Sequence, residues 1–320
     1  MPIRTIDAHA AGEPLRLVVE GFPSPRGATM ADKRAWAARH ADHIRRALML
    51  EPRGHADMTG AVLTEAVSPG SHAGLLFMHH GGFGTISGHG VIAATTIALE
   101  RGLLMPGGDA ATIVFDTVAG SVRAHAQIAG AGGKVERVSF THVPSYVLQG
   151  GTVVKLAARS VRADIAFAGE AFAIVDAEAV GLPIDGAHLP ELRRAGAAIV
   201  EALGPVQEVD AVIFTGPPGD ERADLRNATV FADGAVDRSP CGAGTAAVMA
   251  VIDAMGLLSD ERPFVIESII GTRLTGRLAG RTVVGEHAAI VAEIAGEAWI
   301  TGEHVFLVDE GDPLAEGFRL

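Results

Sequence analysis

The sequence is poor in the residues that build several kinds of site. Its 320 residues include one cysteine, one tyrosine and two tryptophans, and aromatics make up only 5%. A single thiol, Cys241, cannot close an intramolecular disulfide or supply a multi-cysteine zinc or iron–sulfur centre. So few rings leave little for a base-stacking platform. Basic residues are outnumbered 26 to 38, a formal net charge of −12, which disfavours nucleic-acid phosphates or an anionic membrane surface as the main partner. No apolar run approaches the roughly 20 residues of a membrane span. The N-terminal MPIRTIDAHAAGEP lacks the basic-then-apolar profile of a signal peptide. A soluble, cytoplasmic protein is expected, and its length suggests about two domains.

What is present is mostly strand. Short segments rich in Val, Ile and Phe, such as IRTIDAH, AGLLFMH, ATIVFDT, VERVSF, VDAVIFTG and AAIVAEI, alternate with Gly, Pro and Asp. Two further helices are expected, the first of them amphipathic. One covers 30–48, with Ala35, Ala38, Ile44 and Leu48 on its apolar face, and the other covers 190–203, opened by a proline. GAGG at 130–133 reads as a hairpin tip.

The most informative pattern is an internal repeat. SGHGVIAATTIALERGLL at 87–104 aligns without a gap on CGAGTAAVMAVIDAMGLL at 241–258, an offset of 154 residues. Gly88 matches Gly242, Gly90 matches Gly244, and Gly102-Leu103-Leu104 matches Gly256-Leu257-Leu258. Each copy reads as a glycine-rich beginning, an almost wholly apolar helix and a glycine stop. A helix apolar on nearly every face must be buried all round. The expected architecture is therefore α/β (α+β), with two pseudo-symmetric domains, each a sheet or barrel wrapped around a central apolar helix. The first half is placed at 1–125 with 300–320 and the second at 126–299, with the active site in the cleft between them.

Immediately before each Gly-x-Gly stands a proton-bearing side chain, Ser87 in the first copy and Cys241 in the second. A helix N-terminus offers unpaired N–H groups and positive potential, which suits a carboxylate and lowers a thiol pKa. Two such groups facing one substrate would suit proton transfer at the α-carbon of an amino acid, without metal or organic cofactor. Plainer readings stand beside this one. Cys241 as inert packing and Ser87 as an ordinary N-cap are two of them. His89, next to the Ser87-Gly88 turn, either orients a carboxylate and polarises Ser87 or is a loop histidine. Asp237 either accepts from a substrate ammonium or fixes the DGAVDRSPC turn. Both Gly-x-Gly copies also fit G-x-G-x-x-A, with Asp116 as an acidic partner, but a dinucleotide fingerprint needs a strand running into its first glycine. His79, His80, His40 and His43 lack the spacing of a metal motif.

Taken together, DRSPCGAGTAA at 237–247, FMHHGGFGTISGHGVIA at 77–93, LEPRGHADMTGAVL at 50–63, AHAAGEPLRLVVEG at 8–21 and VIFTGPPG at 212–219 resemble the proline racemase family. The resemblance spans nearly the whole chain. It implies a diaminopimelate epimerase-like fold, no cofactor, no metal, and a small amino-acid substrate such as hydroxyproline, in a monomer or homodimer. It implies Ser87 and Cys241 as the acid/base pair, with Gly88, His89, Asp237, Gly242 and Ala243 holding the substrate. Two departures stand out. Ala243 replaces the usual threonine, and Ser87 stands where racemases and epimerases carry their first cysteine. An alcohol is a far weaker acid than a thiol, so the asymmetry weakens racemisation, which needs two competent groups. Dehydration of trans-3-hydroxy-L-proline to Δ1-pyrroline-2-carboxylate can manage with one. It is the leading expectation, with 4-hydroxyproline 2-epimerisation second and a non-catalytic amino-acid binder third.

Overall fold

A computed structural model describes residues 2–105, 111–129, 133–157, 159–204, 208–309 and 311–319. The hairpin tip expected at 130–133 lies, apart from Gly133, outside the described residues. The chain divides into two compact units, Met1–Phe140 with Glu297–Leu320, and Thr141–Gly296.

The first unit contains β1 (Ile3–Ala10), β2 (Glu13–Glu20), α1 (Met30–His40), α2 (Asp42–Met49), β3 (Thr59–Thr64), β4 (Ala73–His79) and β5 (Gly82–Phe83). It continues with α3 (Gly88–Glu100), β6 (Ala111–Thr117), β7 (Gly120–Ala129) and β8 (Lys134–Thr141). The second holds β9 (Ser145–Lys155), β10 (Ser160–Phe167), β11 (Ala171–Asp176), α4 (Ala177–Val180), α5 (Leu189–Leu203), β12 (Ala211–Gly216) and β13 (Leu225–Phe231). Then follow β14 (Val236–Asp237), α6 (Gly242–Ala254), β15 (Phe264–Glu267), β16 (Arg273–Val284) and β17 (His287–Gly296). The last strand, β18 (Ala298–Phe306), returns to the first unit and pairs along β1.

The two units repeat one topology. In the first, strands neighbour in the order β18–β1–β2–β3–β4–β6–β7–β8, antiparallel except for β2–β3 and β4–β6. In the second the order is β9–β10–β11–β12–β13–β15–β16–β17, again with two parallel pairs, β11–β12 and β13–β15. There β17 pairs back onto β9, so the sheet closes on itself. β3 begins at 59 and β12 at 211, β2 at 13 and β11 at 171, offsets of 152 and 158 residues that bracket the 154 of the helices. The repeat is circular: β9 precedes β10 in the chain, whereas β18, its counterpart beside β1, comes from the far end.

The expected boundary at 125/126 falls inside β7, whose ladders with β6 and β8 keep the chain in the first unit through Phe140. The expected single helix over 30–48 is two helices broken at Ala41, whose backbone leaves helical geometry. Its expected apolar face is also out of phase, because Ala35 and Ala38 are exposed while Met30, Lys33, Ala37 and Ala41 are buried. A buried lysine hid that stripe; Lys33 Nζ donates to Thr64 Oγ1 at 3.2 Å and to the Glu65 carbonyl.

The central helices match expectation. Every residue of α3 from Gly88 to Ala98 is buried, and α6 is buried from Gly242 to Val251 except at Ala243. Both end in the same motif: Gly102 and Gly256 take positive φ (63° and 71°), and the next residue donates back to Ala98 and to Ile252.

Asp116, at the end of β6, is buried and turned inward. It accepts from the N–H groups of Val67 and Ser68 and from the hydroxyls of Ser71 and Ser121, all at 2.7–2.8 Å. Burial alone would raise its pKa, but these four donors outweigh it and hold the carboxyl down at about 2. A carboxyl depressed on folding contributes stability above its unfolded pKa of about 3.9 and loses it as pH falls through the folded value. Urea denaturation from pH 5 to pH 2 should therefore show roughly 2 kcal/mol of stability lost from wild type that Asp116→Asn never had. Parallel pH profiles for the two proteins would refute this account.

Candidate active site

Ser87 caps α3. Its backbone is extended, and its Oγ accepts from the Gly90 N–H at 3.1 Å. The N-cap reading is thus correct as far as it goes. His89, in the first turn, is buried and folds back against the cap. Ser87 Oγ lies 3.2 Å from Nδ1 and 3.3 Å from Nε2. Such near-equal distances put the oxygen over the face of the ring, since an oxygen on either nitrogen's in-plane axis would be far from the other. Thr59, at the start of β3, sits 3.0 Å from His89 Nε2 through its Oγ1 and hydrogen-bonds the Pro14 carbonyl. Gly90 is required by close approach, because a Cβ there would stand 2.6 Å from Phe77 and 2.9 Å from Ser87 Oγ.

Cys241 caps α6 in the same way, its Sγ accepting from the Gly244 N–H at 3.3 Å. Its backbone is unlike that of Ser87, with φ 62° and ψ 119°, a conformation costing on the order of 1–3 kcal/mol outside glycine. The preceding turn holds it there. Asp237 Oδ1 accepts from Ser239 N and Ser239 Oγ at 2.8 and 2.7 Å, and Ser239 Oγ in turn accepts from the Cys241 N–H at 3.1 Å. Asn227 donates to the Pro240 carbonyl at 2.7 Å from β13. Asp237 therefore does fix the turn, and its carboxylate also acts on the Cys241 thiol. The N–H groups of Gly242 and Ala243 make no hydrogen bond to a described residue, which leaves them available to an anion.

One expectation is reversed. The helix N-terminus was expected to lower the Cys241 pKa, but burial, then the Asp237 carboxylate, push the thiol well up, and the Gly244 N–H only partly opposes them. Glu170, on the turn between β10 and β11, adds to the same effect. Burial, helped by the Asp210 carboxylate, raises Glu170 itself to about 7. Thr59, Ser239 and Glu170 were not singled out from the sequence. Ser239 was the most accessible of the three, because a serine two residues from both an aspartate and the cysteine has the spacing of a side-chain-to-backbone turn.

The fold defines a class of two-unit proteins with a capped, buried helix at the heart of each unit. The sequence model described as proline racemase matches residues 5–319. A trans-3-hydroxy-L-proline dehydratase of Bacillus cereus is 40% identical over 327 residues, covering 99% of this chain and 97% of that protein. A proline racemase of Clostridioides difficile is 38% identical, covering 99% and 98%. The crystal structure of a hydroxyproline epimerase from Agrobacterium vitis with bound trans-4-hydroxy-L-proline superposes with a TM-score of 0.90 at 29% identity, covering all of this chain and 95% of that one. The chain belongs to the proline racemase family, and so to a group of isomerases and lyases. No helix among the described residues is long and apolar enough to cross a membrane.

The environment of Cys241 makes a direct prediction. With its proton held by burial and by Asp237, the thiol should react slowly with iodoacetamide near neutral pH. Asp237→Asn keeps an acceptor for Ser239 but removes the charge, so alkylation at pH 8 should speed up. A rate that is unchanged or slower would show that Asp237 does not control the thiol.

Proposed function

We propose that this protein acts on hydroxyproline without a cofactor, and that its main reaction is dehydration of trans-3-hydroxy-L-proline to Δ1-pyrroline-2-carboxylate and water. The observation that carries this reading is the inequality of the two capping groups. Ser87 lies against an imidazole, whereas Cys241 is a buried thiol kept protonated by its neighbours. A reaction confined to one face of the α-carbon suits that inequality better than one that needs two equivalent bases. The 40% identity with the Bacillus cereus dehydratase points the same way.

The proposed sequence starts with the substrate carboxylate held by helix N–H groups at Gly88 and His89 and at Gly242 and Ala243, while Asp237 accepts from the ring ammonium. Ser87 takes the α-proton. In the trans-3-hydroxy-L isomer the 3-hydroxyl shares a ring face with that proton, so the same group can return it to the leaving oxygen. Water departs, and the enamine tautomerises to the cyclic imine. Cys241 covers the opposite face of the α-carbon. A second reading, 4-hydroxyproline 2-epimerisation, rests on the fact that Cys241 does carry a proton it can deliver to that face.

A panel of L- and D-proline and the 3- and 4-hydroxyproline isomers, assayed for pyrroline product and for inverted amino acid in deuterated solvent, tests this. Ser87→Ala should lose both reactions by about 10²–10⁴-fold, the usual worth of a general base. Cys241→Ser should lose epimerisation more than dehydration, and Ser87→Cys should gain epimerisation. Near-full dehydration in Ser87→Ala would leave Ser87 as a cap only, and absence of α-hydrogen exchange with every substrate would make the protein a binder.

A further inference from the structure

A buried ammonium is ordinarily paired with a carboxylate. Lys33, on α1, is not. It is 5% exposed, and among the described residues no carboxylate lies within ion-pair distance, 4 Å, of its Nζ. Its two partners are neutral, Thr64 Oγ1 at 3.2 Å and the Glu65 carbonyl. Burial pushes its pKa down, and the more distant charges of Glu65 and Asp116 oppose this only in part. An ammonium has three N–H groups, so one is left without an acceptor among the described residues. Thr64 Oγ1 accepts from Lys33, so its own proton is also left to give. Both donors line a cavity of about 380 Å³ in the first unit, a volume that suits a small molecule. Val18, Phe22, Val62 and Leu104 give it apolar walls. Two exposed carboxylates also line it; Glu20 is held by Arg4 at 2.7 Å, and solvent screens Glu65.

We propose that this cavity is a second binding site, for a small carboxylate with an apolar tail. One carboxylate oxygen accepts from Lys33 Nζ and the other from Thr64 Oγ1, while the tail lies against Val18, Phe22, Val62 and Leu104. The ligand supplies the negative charge that Lys33 lacks, and charge-assisted bonds to a desolvated ammonium are the stronger kind. A neutral amide of the same shape offers an acceptor without the charge, and an amine sets like charge beside Nζ. The site is separate from the helix cap. Thr59, which touches His89, and Thr64 stand at opposite ends of β3, and five residues of strand span about 17 Å. Occupancy of the cavity is therefore independent of the proposed reaction.

The test is NMR of the full chain labelled at valine and leucine methyls, titrated with 3-phenylpropanoate, its amide 3-phenylpropanamide and the amine 3-phenylpropylamine. The Val18 and Val62 methyls, identified by their loss in Val18→Ile and Val62→Ile, should shift saturably with sub-millimolar carboxylate. The amide should bind at least about tenfold more weakly, because its bond to Lys33 lacks the second charge, and the amine should leave these methyls unmoved. Thr64→Val removes one donor while Lys33 stays tied to the Glu65 carbonyl, and it should weaken the carboxylate several-fold. Lys33→Met should erase the preference for carboxylate over amide. Unmoved Val18 and Val62 methyls at millimolar carboxylate overturn the proposal, even if methyls near the helix starts shift. Equal binding of carboxylate and amide, or tighter binding of the amine, also overturns it. So does full carboxylate affinity in Thr64→Val, or a carboxylate preference that survives in Lys33→Met. If Lys33→Met fails to fold, the three wild-type titrations and Thr64→Val still decide.

Discussion

The constraint on which the rest depends is that two helices with almost no polar face must be covered completely. α3 and α6 are each the crossover of a parallel pair, β4 to β6 and β13 to β15, and a parallel pair cannot be joined without such a crossover. Placing the crossover inside the curl of its own sheet buries it on all sides. The cost falls at the helix ends, where N–H and C=O groups lack intrahelical partners. At the C-termini two left-handed glycines settle it. At the N-termini the first-turn donors are met partly by a side chain, Ser87 Oγ or Cys241 Sγ, and in α6 two remain for a ligand. The cap and the proposed site thus coincide, so the plain reading of Ser87 does not compete with the chemical one.

A symmetric scaffold carries unsymmetric chemistry because the residues leading into each helix differ. Ahead of Cys241, the Asp237–Ser239 turn imposes a positive φ and closes around the thiol. Ahead of Ser87 the backbone is relaxed, and the ordering comes from the side, through Thr59 on β3 and His89 on α3 itself. One helix start therefore sets its residue by backbone strain and carboxylates, the other by a hydroxyl–imidazole contact. Helix-end potential does not decide the protonation of Cys241; burial and the adjacent charges do.

The repeat was legible because burial on all sides forces the same small apolar residues at the same spacing, and the matched glycines follow from close approach at Gly90 and Gly244. Strands β9, β10 and β16 were not legible. Gly150-Gly151 interrupts the first, and β16 places Gly276 where a Cβ would collide with Met249 of α6, so a packing requirement looked like a strand breaker. The misphased α1–α2 face has the opposite cause, since Lys33 and Arg45 are buried with carbonyl partners that sequence alone cannot supply. The pair Ser87 and Cys241 could be found from position, but the state of the thiol depends on Asp237 and Glu170. Glu170 lies 71 residues from Cys241 in the chain. Thr59 was hidden for the same reason: nothing near it in sequence points to His89.

Proton inventory turns this asymmetry into a preference between reactions. On the proposed roles, Cys241 rests with its proton on, and Ser87 rests as an alcohol against the His89 ring. Only the serine–histidine side can take a proton at the outset. In epimerisation, the α-proton goes to that side and the thiol delivers its own proton to the other face. The product then leaves behind an extra proton on the serine side and a thiolate, and the thiolate sits buried beside Asp237, where charge is expensive. The next turnover must wait until both groups have exchanged protons. In syn dehydration the accepted proton leaves with water, and no residue changes state. An environment that raises the thiol pKa therefore handicaps the two-face reaction and leaves the one-face reaction untouched, so on the proposed roles Asp237 and Glu170 bear on reaction type through the thiol.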